Sequence, residues 1–202
     1  MEIFAAIHRV DPAAVLDCLR QGTDVNCPEP WHLERPPQER ESPLKAALNL
    51  DPSPEKCEIL SILLKAGASI AEVTLAMEDD PPLCLLARDG DMASLEILLQ
   101  AGADFRLRGK KGSSLGAAVE SLSLPTVQRL LEAGMRFPTE GPAPRAFVHL
   151  ASRSREMLQL LLENGISPAN CPRLSEDEPG ILDDLIWRGD LEQVAYLISL
   201  GI

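Results

Sequence analysis

The chain has 202 residues, 45% apolar, 25% charged and only 3% aromatic, with a net charge of −12 from 31 acidic and 19 basic side chains. That apolar content is too high for a disordered chain, and the length suffices for a buried core. The acidity argues against a duplex nucleic-acid binder, which must neutralise phosphates with cations. No apolar run approaches the roughly 20 residues that cross a bilayer, and Met1-Glu2-Ile3-Phe4 lacks the basic flank of a secretory leader. The five cysteines (Cys18, Cys27, Cys57, Cys84, Cys171) are odd in number and never form a C-x-x-C pair. Neither a disulfide framework nor a closed zinc site is expected, and a cytoplasmic chain with reduced thiols fits better.

Taken in chain order, the sequence divides into about six units of one design, at residues 1–27, 42–70, 80–105, 112–137, 144–168 and 179–202, with a long insert at 28–41. Each predicts a short helix, a tight turn, a longer helix and a glycine stop. The first ends its second helix at Cys18-Leu19-Arg20-Gln21-Gly22. The second opens at Ser42-Pro43-Leu44-Lys45-Ala46-Ala47 and ends at Leu63-Leu64-Lys65-Ala66-Gly67, with about four extra residues between its helices around Asp51-Pro52-Ser53-Pro54. The third runs from Pro81-Pro82-Leu83 through the breaker Gly90 to Leu98-Leu99-Gln100-Ala101-Gly102. The fourth opens at Gly112-Ser113-Ser114-Leu115 and stops at Gly134, the fifth stops at Gly165, and the sixth runs from Gly180-Ile181-Leu182 through Gly189 to Gly201. Each stop is a place where a helix C-terminus takes the left-handed conformation that glycine adopts without strain. The stops fall 45, 35, 32, 31 and 36 residues apart. Apolar residues at helical spacing precede them, and Leu98 and Leu131 are the expected buried anchors.

This pattern resembles the ankyrin repeat. The motif Thr-Pro-Leu-His-x-Ala-Ala, then Gly, an apolar pair and Leu-Leu-x-x-Gly-Ala, is matched in register by Pro82, Leu83, Ala87, Gly90, Leu98, Leu99, Gly102 and Ala103. Pro43, Leu44, Ala47, Leu63, Leu64, Gly67 and Ala68 match it again, and Asp24-Val25-Asn26 matches the segment after the glycine stop. The motif histidine is replaced by Cys84, Lys45, Gly116 or Asp183. Tetratricopeptide arrays share the period but lack the Pro-Leu start and the Gly-Ala stop. The resemblance covers nearly the whole chain and implies a single all-α ankyrin-repeat solenoid, with stacked helix pairs and projecting fingers or hairpins. One unit buries little alone, so neighbours stack into a continuous core, and the terminal units should be caps with a polar outer face.

Three joints exceed what the repeat needs. Residues 28–41 carry Pro28, Pro30, Pro36 and Pro37 among mixed charges, which excludes regular helix. This elongated finger holds Trp31 and Arg35; Trp31 either folds back over the first unit or anchors a partner. The others run from Ser69 to Asp80 and from Ile166 to Pro179. Basic residues concentrate in Arg106-Leu107-Arg108-Gly109-Lys110-Lys111-Gly112, with Arg136, Arg145, Arg153 and Arg155 beyond it. They are either solvated surface or a stripe that recognises an acidic peptide, a phosphate-bearing group or an acidic protein face.

No phosphate-binding, nucleophile-elbow or zincin motif is present, and His8, His32 and His149 are dispersed. The expected function is a non-catalytic protein–protein interaction module, with no cofactor or metal, no nucleic acid and no membrane. It is expected to be monomeric and to bind another protein through its finger and first-helix face, with Trp31, Arg35, Arg106, Arg108, Lys110 and Lys111 as contributors. Two further readings stay open: an inhibitor or immunity-type protein that blocks a partner enzyme, and an enzyme or effector whose catalytic part lies elsewhere.

Overall fold

The computed structural model describes residues 2–29, 41–70, 82–104, 108–109, 112–137, 147–148, 153–166 and 181–199. They fall in two compact units, Met1–Ser114 and Leu115–Ile202. The first holds α1 (Glu2–His8), α2 (Pro12–Arg20), α3 (Pro43–Leu48), α4 (Pro54–Lys65), α5 (Pro82–Asp89), α6 (Met92–Gln100) and a hairpin of β1 (Arg108–Gly109) and β2 (Gly112–Ser113). The helix α7 (Ser114–Glu120) spans the boundary. The second unit continues with α8 (Leu124–Glu132), α9 (Arg155–Glu163), α10 (Ile181–Arg188) and α11 (Leu191–Ser199). In the first unit α1 packs on α3, while α2 packs on α4 and α4 on α6, so first helices stack on first helices and second on second.

Local sequence sets both ends of these helices. Asp11, Ser53, Asp91, Ser154 and Asp190 each accept a hydrogen bond from the backbone N–H three residues on, at 3.0, 3.0, 3.1, 3.3 and 3.2 Å. Such caps satisfy donors that a helix N-terminus leaves open. At the other end Gly67, at φ +91°, donates to the Leu64 carbonyl at 3.1 Å while Ala68 N–H reaches Leu63 at 3.0 Å. This paired closure recurs at Gly22, Gly102, Gly134 and Gly165, as the sequence pattern requires; Gly201 lies outside the described residues. The first helices stop in the same left-handed way at Gly90 and Gly189, but Val10 and Leu122 take that conformation at the equivalent positions of α1 and α7.

Counting back from each stop glycine gives the core. Four residues before it stand Cys18, Leu63, Leu98, Leu130, Leu161 and Leu197, all buried. Seven before it stand Val15, Leu60, Leu95, Val127 and Leu158, all fully buried. Leu98 is therefore the anchor expected, whereas Leu131 is only half-buried and Leu130 fills its place. In a Leu-Leu pair, adjacent residues lie about 100° apart around the helix, so only one can face the stack. The extra residues of the second repeat, at 42–70, do lengthen the stretch between its helices, residues 49–53, and they also lengthen the helix: α4 runs for 12 residues against nine in α2, so Ser53 and Pro54 start it nearly a turn early. One further expectation needs correction: the last helix pair is not a polar cap, as described below. In the second unit Phe137 and Phe147, both buried, meet edge to face at 5.1 Å.

Candidate functional site

Of the finger residues expected to bind a partner, Trp31, Arg35, Arg106, Lys110 and Lys111 lie outside the described residues, and only the backbone of Arg108 is described. That backbone forms β1, which pairs antiparallel with β2 in the register Arg108↔Ser113 and Gly109↔Gly112. The described margins of the 28–41 insert come together, since Glu29 N–H donates to the Glu41 carbonyl at 3.0 Å. Just before it, Asn26 bridges successive helix pairs. Its amide nitrogen donates to the Gly67 carbonyl at 3.3 Å, and its side-chain oxygen accepts from Ser69 N–H at 2.8 Å. Two of the arginines beyond the hairpin have local employment. Arg136 donates to the carbonyls of Leu131 and Met135 at the end of α8. Arg155 pairs with Glu192 at 3.0 Å and lies 4.7 Å from the centre of the Tyr196 ring. Arg153 is exposed.

A buried ion pair was not visible in the sequence. In the extra turn of α4, Lys56 Nζ stands 2.9 Å from Asp91 Oδ2, with the two side chains 2% and 4% exposed, and also donates to the Leu50 carbonyl at 2.7 Å. Asp91 meanwhile caps α6 through Ser94 N–H. Burial pushes the Asp91 carboxyl upward, but the hydrogen bonds from Lys56 and Ser94 and the lysine charge outweigh it, so its pKa lies below the ordinary carboxylate range. Lys56 and Asp91 each stand 11 residues before their stop glycines, Gly67 and Gly102, and α4 packs on α6. The extra turn therefore lifts the lysine to the level of the next cap. The pair borders a cleft of about 210 Å³, lined also by Leu50, Pro52, Leu85 and Asp89.

The second feature missed is the surface of the last helix pair. Trp187 is 89% exposed, Leu191 69%, Ile198 59% and Ile186 56%. The signal was available in the repeat alignment. Two residues before the left-handed turn stand His8, Arg88 and Glu120 in the three other pairs that make this turn among the described residues, a polar row in which the fourth member is Trp187.

Among the described residues no group of three or more His, Cys, Asp or Glu is placed to hold a metal ion, and no helix is long and apolar enough to cross a membrane. Burial, and after it the Asp24 charge, pushes the Cys27 thiol pKa up, which works against a nucleophilic thiolate. Cys18 and Cys84 are buried as core fillers and Cys57 is half-buried; none of these four cysteines is in a disulfide.

No protein-family model and no curated protein sequence matches the chain. Solved structures do. An ankyrin repeat domain from Acinetobacter baumannii superposes with a TM-score of 0.72 at 20% identity, over 98% of this chain and 97% of that one. The ankyrin repeat domain of Bcl-3, a member of the IkappaB protein family, gives 0.70 at 22% identity, over 100% of this chain and 86% of that one. A third ankyrin repeat protein gives 0.65 at 19%, over 98% and 96%. With its paired helices, its glycine stops and these likenesses, the chain has the ankyrin-repeat fold.

Proposed function

We propose that this chain is a non-catalytic protein-interaction module that binds its partner through the segments joining the helix pairs and through the adjoining first helices. The observation that supports this is how the helices spend their surfaces. The residues four positions before each stop glycine, and seven before all but the last, are consumed by the core. The joining segments carry Trp31, Arg35, Arg106, Arg108, Lys110 and Lys111, side chains that stacking does not require. Tryptophan and arginine are over-represented among residues that dominate binding energy. A basic finger on a chain of net charge −12 favours a partner with an acidic face, whose association slows as salt rises.

The test is the combined substitution Arg106→Glu, Arg108→Glu, Lys110→Glu and Lys111→Glu, compared with the parent chain for binding to a partner recovered by pull-down. Normal circular dichroism with lost binding and a flattened salt dependence is the expected result. Unchanged affinity and salt dependence would reduce the basic finger to solvated surface. A loss confined to Trp31→Ala would move the contact to the 28–41 insert.

A further inference from the structure

We propose that two copies of this chain associate through α10 and α11, each burying the exposed apolar face of its last described helix pair against that of the other. The sequence alone suggests a monomer; the burial pattern argues otherwise. Three residues before the left-handed turn of the four described first helices that make one stand Ile7, Ala87 and Val119, all fully buried, and Ile186, which is 56% exposed. Ile7 and Ile186 each have their own second helix beside them. What α1 has and α10 lacks, among the described residues, is a following pair: α1 packs on α3. The row is thus built to be covered by another helix pair. At the same level Trp187 stands 89% exposed in a row that is otherwise His8, Arg88 and Glu120. Leu191 and Ile198, seven residues apart, share one face of α11.

The occupant that fits is a second copy, face to face. At these exposures the four side chains present several hundred Å², in the range where a patch on a monomer is functional and approaching the ~800 Å² per partner of a standard interface. The first helix pair offers nothing to receive them: no large apolar side chain of α1 or α2 is exposed, and Glu2, His8, Arg9, Asp17 and Arg20 are. Head-to-tail association would set Trp187 on charge. A two-fold contact sets apolar on apolar instead. Each copy carries a net charge of −12, so salt should strengthen the association by screening that repulsion. This is the opposite of the dependence expected for the basic finger, and it keeps the two surfaces distinguishable.

The experiment is sedimentation velocity of the full chain from micromolar to hundreds of micromolar, at low and high salt. The expected result is a concentration-dependent shift from 22.0 kDa to twice that mass, stronger at high salt. Trp187→Glu should abolish it with helicity unchanged, and Leu191→Glu serves if Trp187→Glu loses helicity. In a Trp31→Phe background, Trp187 is the remaining tryptophan, and its emission should shift to shorter wavelength as copies associate. A monomer at every concentration and salt would overturn the proposal. So would a dimer that survives both substitutions, or growth into species larger than a dimer, which marks a head-to-tail contact.

Discussion

Replacing Asp91 with asparagine tests whether the ion pair in the extra turn of α4 holds successive helix pairs together. Asparagine is nearly as good an N-cap as aspartate, so the bond to Ser94 N–H can persist while the charge is lost. What remains is an ammonium group, on a side chain 2% exposed, with the Leu50 carbonyl at 2.7 Å and no counter-charge at 2.9 Å. Breaking a buried pair from one side costs about 3–5 kcal/mol, because the survivor keeps its desolvation penalty without its partner. Asp91→Ala should cost about 1 kcal/mol more, through the lost cap. Lys56→Met with Asp91→Asn removes both charges and should recover most of the loss, since well-packed neutral replacements of buried pairs are often close to neutral in stability. Urea unfolding followed by circular dichroism measures all four proteins, with stabilities compared only where the slopes agree. A cost below about 1 kcal/mol for Asp91→Asn would mean that the pair behaves as a solvated surface bridge, and the reasoning from its burial fails. The pH dependence gives a second reading. The Asp91 pKa is lower in the folded chain than the ~3.9 of an unfolded aspartate. Its contribution is therefore present above that unfolded value and is lost as pH falls through the folded one, so Asp91→Asn should flatten the acid limb below about pH 4.

The two leucines before Gly134 should differ sharply. Leu130→Ala should cost about 2–5 kcal/mol, and Leu131→Ala, at a half-buried position, clearly less; equal costs in denaturant unfolding would contradict the assigned register. Gly134→Ala should cost about 1–2 kcal/mol although an added Cβ would meet nothing within 4 Å, because φ is +100° and the penalty is backbone strain alone. A neutral result by the same assay would show that the helix end relaxes out of the left-handed closure.

The helix pairs were legible because their signals are local. A proline at one end and a glycine at the other act within a single turn, so Pro43, Pro82, Gly67 and Gly102 could be read from spacing alone. Val10 and Leu122 show the limit of that reading. They take the left-handed turn without the residue that advertises it, because the closure around them decides their conformation. The candidate site was less legible. The composition of the fingers could be read, but the partners that occupy Arg136 and Arg155 come from a helix end and from a glutamate 37 residues away. Asn26 likewise matched a motif, while its bonds to Gly67 and Ser69 depend on the neighbouring pair.

By itself, then, the sequence determined the repeat, its helix ends and the fold they build, since hydrogen-bond capping and backbone strain depend on nearest neighbours in the chain. Only the tertiary structure decided which leucine of each pair enters the core and that Lys56 meets Asp91 at the level of the next cap. It alone showed Ile186 bare where Ile7, Ala87 and Val119 are covered. Burial is a property of what stacks against a residue, and in a repeat protein that is set by the adjoining pair, whose register shifts with every added turn.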